Sequence, residues 1–355
     1  MPRSWTVAVA RGDLGQTTYA ESDLPVVTGG EVLLRVDRVG LTANNVTYAV
    51  LGDAMRYWEF FPPEPRGLAP ELGLPPLWGF AEVVASAVPE VEIGQRVYGY
   101  LPPASHLVVR PERVDASGFR DGSAHRADLP SPYNVYRATT GDPAYRKDQE
   151  DLLILFRPLF YTSFMLADQV VDNDFYGAGS VVISSASSKT AYAAAAELRG
   201  RGVRLIGLTS PGNLAFTRSL GCYDDVLGYD AIASLDVTPA VYLDLSGNPA
   251  VRAGLRERLG DRLVRDIAVG LTGQVPNADA AGEVFFAPVQ MRKRRLDWGR
   301  DGLEERFTQA WQRFTEVVGG WLDVRVGEGP EELRRVWLEV LGGRVPPRVG
   351  HVVQL

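Results

Sequence analysis

Seven consecutive residues, Ser184-Ser185-Ala186-Ser187-Ser188-Lys189-Thr190, bring five hydroxyls and one ammonium into a single short stretch. That chemistry suits a phosphate. Serine is small enough to let the backbone approach a pyrophosphate, its hydroxyl can donate to the oxygens, and Lys189 adds charge. The stretch lacks the Gly-x-Gly-x-x-Gly spacing of dinucleotide loops, and the P-loop pattern fails too, since it needs glycine where Ile183 and Ser188 stand. A plain capped helix without a ligand is the alternative reading. Further polar groups, Ser210, Asp244, Ser246, Asn248 and Thr272, close later apolar runs, where the strands of an open α/β sheet present ligands. A different chemistry is offered by Asn45 and Tyr48, in Gly40-Leu41-Thr42-Ala43-Asn44-Asn45-Val46-Thr47-Tyr48. A phenol placed after a strand can donate a proton to a carbonyl oxygen, and Asn45, one helical turn earlier, can orient the same oxygen; simple packing is the alternative. Tyr57 and His106 are rival donors.

These groups need elements to hold them. Val181-Val182-Ile183 reads as a buried strand, Ala191 to Leu198 as an alanine-rich helix stopped by Gly200 and Gly202, and Val203 to Leu208 as the next strand. The serine loop therefore opens a helix in a βαβ unit, where unpaired N–H groups and the positive dipole end favour an anion. Alternation continues through strands at Asp225–Leu227, Val241–Ser246 and Asp266–Val269, with helices at Leu214–Leu220 and Ala250–Leu259, and Glu283–Phe286 as a further strand candidate. Alternating units imply a doubly wound parallel sheet. Residues 1–110 instead offer short strands at Trp5–Ala10, Glu31–Val39, Glu82–Ala87, Gln95–Tyr100 and His106–Val109, punctuated by Gly and Pro, which suggests a sandwich or small barrel. The Pro-, Asp- and Gly-rich stretch 111–150 reads as an inserted loop or lid, with Tyr133, Tyr136 and Tyr145 as candidate substrate-lining aromatics. Leu152 to Val171 is an apolar run of helical length. Arg292 to Arg295 are four successive basic residues, read as a solvated face or as an anion site for a phosphate-bearing substrate. Leu303–Trp321 reads as an amphipathic helix, Leu322–Val326 as a strand, Pro330–Leu341 as a helix and Gly350–Leu355 as a last strand.

Composition sets the bounds. A chain of 355 residues suggests two domains, and 45% hydrophobic residues can bury a large core. A net charge of −7 gives no general attraction for nucleic acid or an anionic membrane. The single cysteine, Cys222, forbids an internal disulfide and fits a reducing, cytoplasmic setting. With three histidines, a Cys/His zinc site is disfavoured, so no metal ligands are assigned. No secretory signal or stretch of 18 apolar residues is present.

Several segments resemble the medium-chain dehydrogenase/reductase superfamily, in its zinc-free quinone and enoyl reductase branch. They are Gly30-Glu31-Val32-Leu33-Leu34-Arg35-Val36 with Val39-Gly40-Leu41, Gly79-Phe80-Ala81-Glu82-Val83-Val84, and Ile93-Gly94-Gln95-Arg96-Val97-Tyr98-Gly99. Ser219–Leu227, Asp244-Leu245-Ser246-Gly247-Asn248 and the closing Leu341-Gly342-Gly343 and Gly350-His351-Val352-Val353 extend the likeness over nearly the whole chain. The chain also resembles a bacterial subgroup known as a domain of unknown function, which carries Ser/Lys/Thr where relatives carry Gly-Gly-Val-Gly. The resemblance implies an α/β protein with a GroES-like β-rich catalytic domain (1–155 and 286–355) and a doubly wound Rossmann cofactor domain (156–285). It implies NADPH as cofactor, a homodimer, and hydride transfer to an activated C=C bond of an enone, quinone or enoyl thioester. A nucleotide-binding protein of the same fold without redox activity, structural or regulatory, is the competing expectation. On the same footing, Tyr48 and Asn45 face the substrate, with Tyr57 as an alternative donor. Thr162 lies near the nicotinamide. Ser185, Ser187, Ser188, Lys189 and Thr190 cradle the pyrophosphate, Ser246, Asn248 and Thr272 line the cofactor, and Ser210, Asn213 and Tyr229 meet the 2′-phosphate. The usual lysine there is absent, with Asn213 nearest its place, and no carboxylate ends the second strand to hold the ribose of NADH. Arg292–Arg295 is the expected contact for a phosphate-bearing acyl thioester.

Overall fold

The apolar runs from Val181 onward fold as a six-stranded, all-parallel sheet. Its spatial order is Asp225–Gly228, Arg204–Thr209, Ser180–Ile183, Ala240–Asp244, Leu263–Val269, Glu283–Phe285. In chain order this is 3-2-1-4-5-6, the doubly wound arrangement, with its switch point between the first and fourth strands. The architecture comes from a computed structural model that describes residues 3–269 and 283–355. Val181, Val182, Ile183, Leu208, Val241 and Leu243 are wholly buried, as central strands covered on both faces require. Each such aliphatic side chain contributes roughly 1.5–3 kcal/mol by its removal from water. Helix Lys189–Leu198 buries Ala191 and Ala193 to Ala195, whose small side chains let it lie close to the sheet.

The chain divides into two compact units, Met1–Leu155 with Asp323–Leu355, and Phe156–Leu322. Residues 286–322, which the sequence reading gave to the β-rich domain, cluster with the parallel sheet instead. They form the helix Ala287–Val318, interrupted at Gly299 with φ 73°. The reason is aromatic packing: Phe307, Trp311 and Phe314 lie 5.7, 5.4 and 4.7 Å from Phe160, centroid to centroid, and Phe314 lies 5.3 Å from Phe156. The basic run is likewise built into the fold. Arg294 is buried against Asp168, Asp172 and Asp297 at 2.7, 2.9 and 2.9 Å and lies over Trp298. Lys293 pairs with Asp172 and Asp297. The expected phosphate contact there is corrected to this extent: the central two residues of the run are held by carboxylates, Arg294 buried and Lys293 exposed, while Arg292 and Arg295 are exposed with no ion pair among the described residues.

The other unit is β-rich. Its main sheet runs Asp323–Glu328, Val349–Gln354, Val32–Leu41, Leu77–Ser86, Arg96–Leu101, Val135–Ala138, Gly118–Asp121, Pro111–Asp115, and His106–Val109 also pairs Val32–Leu41. A hairpin of Arg3–Ala10 and Asp13–Asp23 forms a second, smaller sheet with Leu72–Gly73. The lid reading of 111–150 is therefore corrected, since three strands of the main sheet come from it. Polar composition concealed them because charge is buried in pairs: Arg126 and Asp121 meet at 3.2 Å with both side chains wholly enclosed. Tyr136, also wholly buried, donates to the carbonyl of Tyr100 at 2.8 Å. Among the described residues, no helix is long and apolar enough to cross a membrane.

Candidate functional site

The serine loop stands at the switch point of the parallel sheet, and its own side chains hold it there. Ser184, wholly buried, donates from Oγ to Asp244 Oδ1 at 3.0 Å and accepts the Leu245 and Ser246 N–H groups at 3.0 and 3.1 Å. Ser185 N–H donates to Tyr229 Oη at 2.9 Å. Ala186 is clamped on both sides, its N–H to the Leu208 carbonyl and its carbonyl to Tyr223 Oη. Ser187 Oγ accepts from Thr209 Oγ1 at 3.2 Å and from Asn213 Nδ2 at 3.1 Å. Ser188 caps the helix, accepting Ala191 N–H at 3.3 Å. Close approach of loop and second strand also needs Gly207, where an added Cβ would lie 2.9 Å from that of Ala186 and 3.1 Å from the Tyr223 ring.

Two features bear on an anion. Thr190, in the first helical turn, has an N–H that the helix itself leaves without an acceptor. Lys189, at the same turn, is half-buried, and desolvation pulls its ammonium down to about 8. A phosphate beside it would restore the charged form. The loop also stores strain, since Ser185 has φ 52°, a left-handed conformation that disfavours a Cβ. Ser185→Gly is expected to raise stability by roughly 1 kcal/mol, read as a higher midpoint in urea, because glycine adopts this φ without penalty.

Other sequence-assigned cofactor residues fall in several places. Asn213 and Tyr229 come to the serine loop, but through their own bonds to Ser187 and Ser185. Ser210 is half-buried at the end of the second strand. Ser246 and Asn248 form the turn after the fourth strand: Ser246 donates to Asp244, and Asn248 caps helix Pro249–Leu259 by accepting the Ala250 and Val251 N–H groups. Thr162 donates to the Pro158 carbonyl of its own helix. Its neighbour Ser163, which sequence reasoning passed over, donates to the Thr190 carbonyl at 2.8 Å. Thr272 lies outside the described residues. Asp244, named at a strand end but given no role, is the acceptor around which the switch-point turn closes.

The β-rich unit holds a separate cluster of phenols. Thr42 caps helix Ala43–Val50, and Asn45 completes the capping box. Asn45 Oδ1 accepts the Thr42 N–H at 2.8 Å, and Nδ2 donates to the Pro76 carbonyl at 2.9 Å. Its amide thus orients backbone here, where the sequence reading had it orient a substrate oxygen. Tyr48, one turn on and 5% exposed, accepts the Trp78 indole N–H at 3.1 Å. Its ring lies 4.7, 5.5 and 6.2 Å from those of Tyr57, Tyr100 and Tyr133. Tyr57 and Tyr133 hydroxyls stand 3.4 Å apart. Burial pushes the Tyr48 phenol up to about 12 and those of Tyr57, Tyr100 and Tyr133 upward as well. The Tyr100 hydroxyl, fully enclosed, has no hydrogen-bond partner among the described residues. Of the three loop tyrosines expected to line a substrate, Tyr133 joins this cluster; Tyr136 is buried structure and Tyr145 donates to Glu150. Trp78 and Tyr100 were not recognised from sequence; the signal was their alternation with Phe80 and Tyr98 on paired strands. His106, the other rival donor, has Nδ1 2.9 Å from Ser105 Oγ and a pKa lowered by burial.

A family model described as "Protein of unknown function (DUF2855)" matches residues 39–346. Comparison with curated proteins finds no match. Among solved structures, a putative NADPH:quinone reductase from Mesorhizobium loti is similar with a TM-score of 0.61 and 13% identity, over 100% of this chain and 99% of that one. CurA from Vibrio vulnificus, solved in complex with NADPH, gives 0.59 and 15%, over 99% of both chains. The human synaptic vesicle membrane protein VAT-1 homolog-like protein gives 0.56 and 14%, over 100% and 99%. At such identities the likeness is one of fold.

Proposed function

Starting from a chain that belongs to the DUF2855 family and has the medium-chain dehydrogenase/reductase fold, we propose that it is an NADPH-dependent, zinc-independent reductase of an activated C=C bond. The substrate is an enone, quinone or enoyl thioester. The observation that carries this reading is the serine loop itself. Five side chains and the neighbouring strands fix a helix N-terminus and Lys189 at the switch point of a 3-2-1-4-5-6 sheet. The switch point is where doubly wound sheets bind their ligands.

When bound, NADPH supplies the hydride. The chain's residues do the rest. Lys189, Ser188 and the first-turn N–H groups hold the pyrophosphate, and Ser185 and Ser187 shape the loop. Ser210, Asn213 and Tyr229 surround the 2′-phosphate position. Ser246, Asn248 and Thr162 serve as further cofactor contacts. Tyr48, neutral and desolvated, donates to the substrate oxygen as negative charge grows there, with Tyr57 and Tyr133 closing the apolar wall around it.

The test is a fluorescence titration with NADPH followed by oxidation assays over a panel of enones, quinones and enoyl thioesters. Binding with turnover of one class supports the proposal. Binding without turnover of any class favours the non-redox nucleotide-binding reading, and absence of binding removes both. NADPH is expected to bind more tightly than NADH, because the second strand ends in Thr209-Ser210-Pro211-Gly212-Asn213 with no carboxylate to repel a 2′-phosphate. Equal or tighter NADH binding by calorimetry would overturn that preference.

We also propose a homodimer. The sheet ends on Glu283–Phe285, an edge strand paired on one side only among the described residues. Val284, Phe286, Val289 and Leu296 stand exposed on and after it, at 50, 57, 54 and 88%. An open apolar edge is a pairing surface. Phe286→Asp with Leu296→Glu is expected to convert a dimer to a monomer in sedimentation velocity; a parent chain that already sediments as a monomer rejects the proposal.

A further inference from the structure

The far end of the loop helix carries a second feature that the reductase reading does not use. Around the C-terminal end of Lys189–Leu198, a cleft of about 440 Å³ is lined by Glu197, Arg199, Arg201, Arg313, Val317 and Trp321. Its position follows from the chain. Glu197 and Arg199 end the helix, Gly200 and Gly202 turn the backbone at φ 75° and 85°, and Arg313, Phe314 and Val317 come from the last turns of Ala287–Val318. A ten-residue helix separates this cleft from the serine loop by about 15 Å.

The charge in the cleft is unbalanced. Arg313 meets the Glu197 carboxylate at 3.5 Å. Arg199 and Arg201 are exposed and make no ion pair among the described residues. Three guanidiniums against one carboxylate leave a net charge of +2. The helix C-terminus explains why cations are welcome here. It does not explain why they surround an apolar surface, with Val317 46% exposed and Trp321 half-buried above the fully buried Phe314. Behind Trp321, at 5.6 Å between rings, lies Tyr192, whose enclosed hydroxyl has no hydrogen-bond partner among the described residues. Cys222 is buried, and burial pushes its thiol up to about 12, so it serves as wall and not as nucleophile.

We propose that this cleft is a second small-molecule site, for an organic monoanion with an apolar body: a carboxylate head held by Arg199 and Arg201, and a ring or acyl body laid on Val317 and Trp321. The volume lies within the range of small-ligand pockets. Guanidiniums recognise carboxylates bidentately, and the Glu197 carboxylate, buried beneath Arg313 in the cleft wall, penalises more highly charged ligands.

Calorimetry with 2-naphthoate, 2-naphthylmethanol and inorganic phosphate tests this on the full chain. The expected result is one 2-naphthoate per chain, with the alcohol and phosphate each weaker by about tenfold or more, since each lacks half of the recognition. Arg199→Ser with Arg201→Ser should weaken 2-naphthoate by about the same factor, and Lys189→Ala should leave it unchanged. Both arginines are exposed, so an unchanged melting temperature shows that the variant folds. No 2-naphthoate binding, equal binding of the alcohol, undiminished binding by the arginine variant, or loss of binding in Lys189→Ala would each overturn the proposal.

Discussion

Tyr48→Phe is expected to lower turnover by roughly 10- to 1000-fold, the span for loss of a general acid or oxyanion donor, with NADPH affinity little changed. The substitution keeps the ring and its packing against Tyr57, Tyr100 and Tyr133 and removes the hydroxyl alone. That hydroxyl already accepts the Trp78 indole N–H, so its own proton is left to point toward another acceptor. Burial pushes its pKa up to about 12, which keeps the phenol neutral through the neutral range and for some distance above it. The loss should therefore be the same at pH 6 and pH 9. Removing the oxygen also leaves the Trp78 N–H without its acceptor, at a cost of about 1–3 kcal/mol in stability. A fall in melting temperature is thus expected and does not explain a fall in rate measured well below it. The measurement is single-turnover NADPH oxidation with the panel substrate that reacts. If Tyr48→Phe keeps the parent rate while Tyr57→Phe loses it, the donor is Tyr57, whose hydroxyl stands against that of Tyr133.

Lys189→Ala should weaken NADPH binding by about 1–3 kcal/mol, the value of a charge-assisted hydrogen bond. The pH dependence distinguishes this from a structural effect. With its pKa drawn down to about 8 by desolvation, Lys189 is charged below that value and loses its proton above it. Cofactor affinity should therefore fall as pH rises through 8, and Lys189→Arg should hold its affinity to higher pH. Stability without cofactor should move the other way. Between pH 8 and the ordinary lysine value of 10.5, the unfolded chain binds more protons at this position than the folded one, so stability rises with pH. Lys189→Ala removes both slopes. An unchanged affinity together with a sharp drop in melting temperature would make the loop purely structural.

How much of this was legible in the sequence depended on where polar groups were buried. The parallel sheet was plain, because Val181-Val182-Ile183 and Val241-Tyr242-Leu243 are apolar runs between turn residues and nothing else competes to explain them. Strand Asp13–Asp23 was not legible. Its sequence, DLGQTTYAESD, is exposed at most positions and pairs Arg3–Ala10 through backbone bonds that leave no apolar mark. The strands within 111–150 were hidden by the same buried Arg126–Asp121 pair that holds them. At the site, the serine loop could be found from residue type, but its holding partners could not. Tyr223, Tyr229 and Asp244 reach it from well along the chain. Asn45 shows the converse: a polar residue near a candidate donor looks chemical in sequence, and its capping bonds appear only once Thr42 and Pro76 are placed.

The main sheet of the β-rich unit has a consequence for how the molecule is made. Strand Val349–Gln354 pairs with Val32–Leu41, His351 opposite Leu41, and the whole Phe156–Leu322 unit lies between them in the chain. The inserted unit is one continuous segment and can fold as soon as it has been translated. The surrounding unit cannot complete its sheet until the ribosome has passed the inserted one, so Val32–Leu41 waits with an unsatisfied edge during that interval. At about 5–20 residues per second this is a delay of many seconds. Slow translation through the inserted segment would lengthen the exposure of that edge, and unpaired strand edges are open to aggregation.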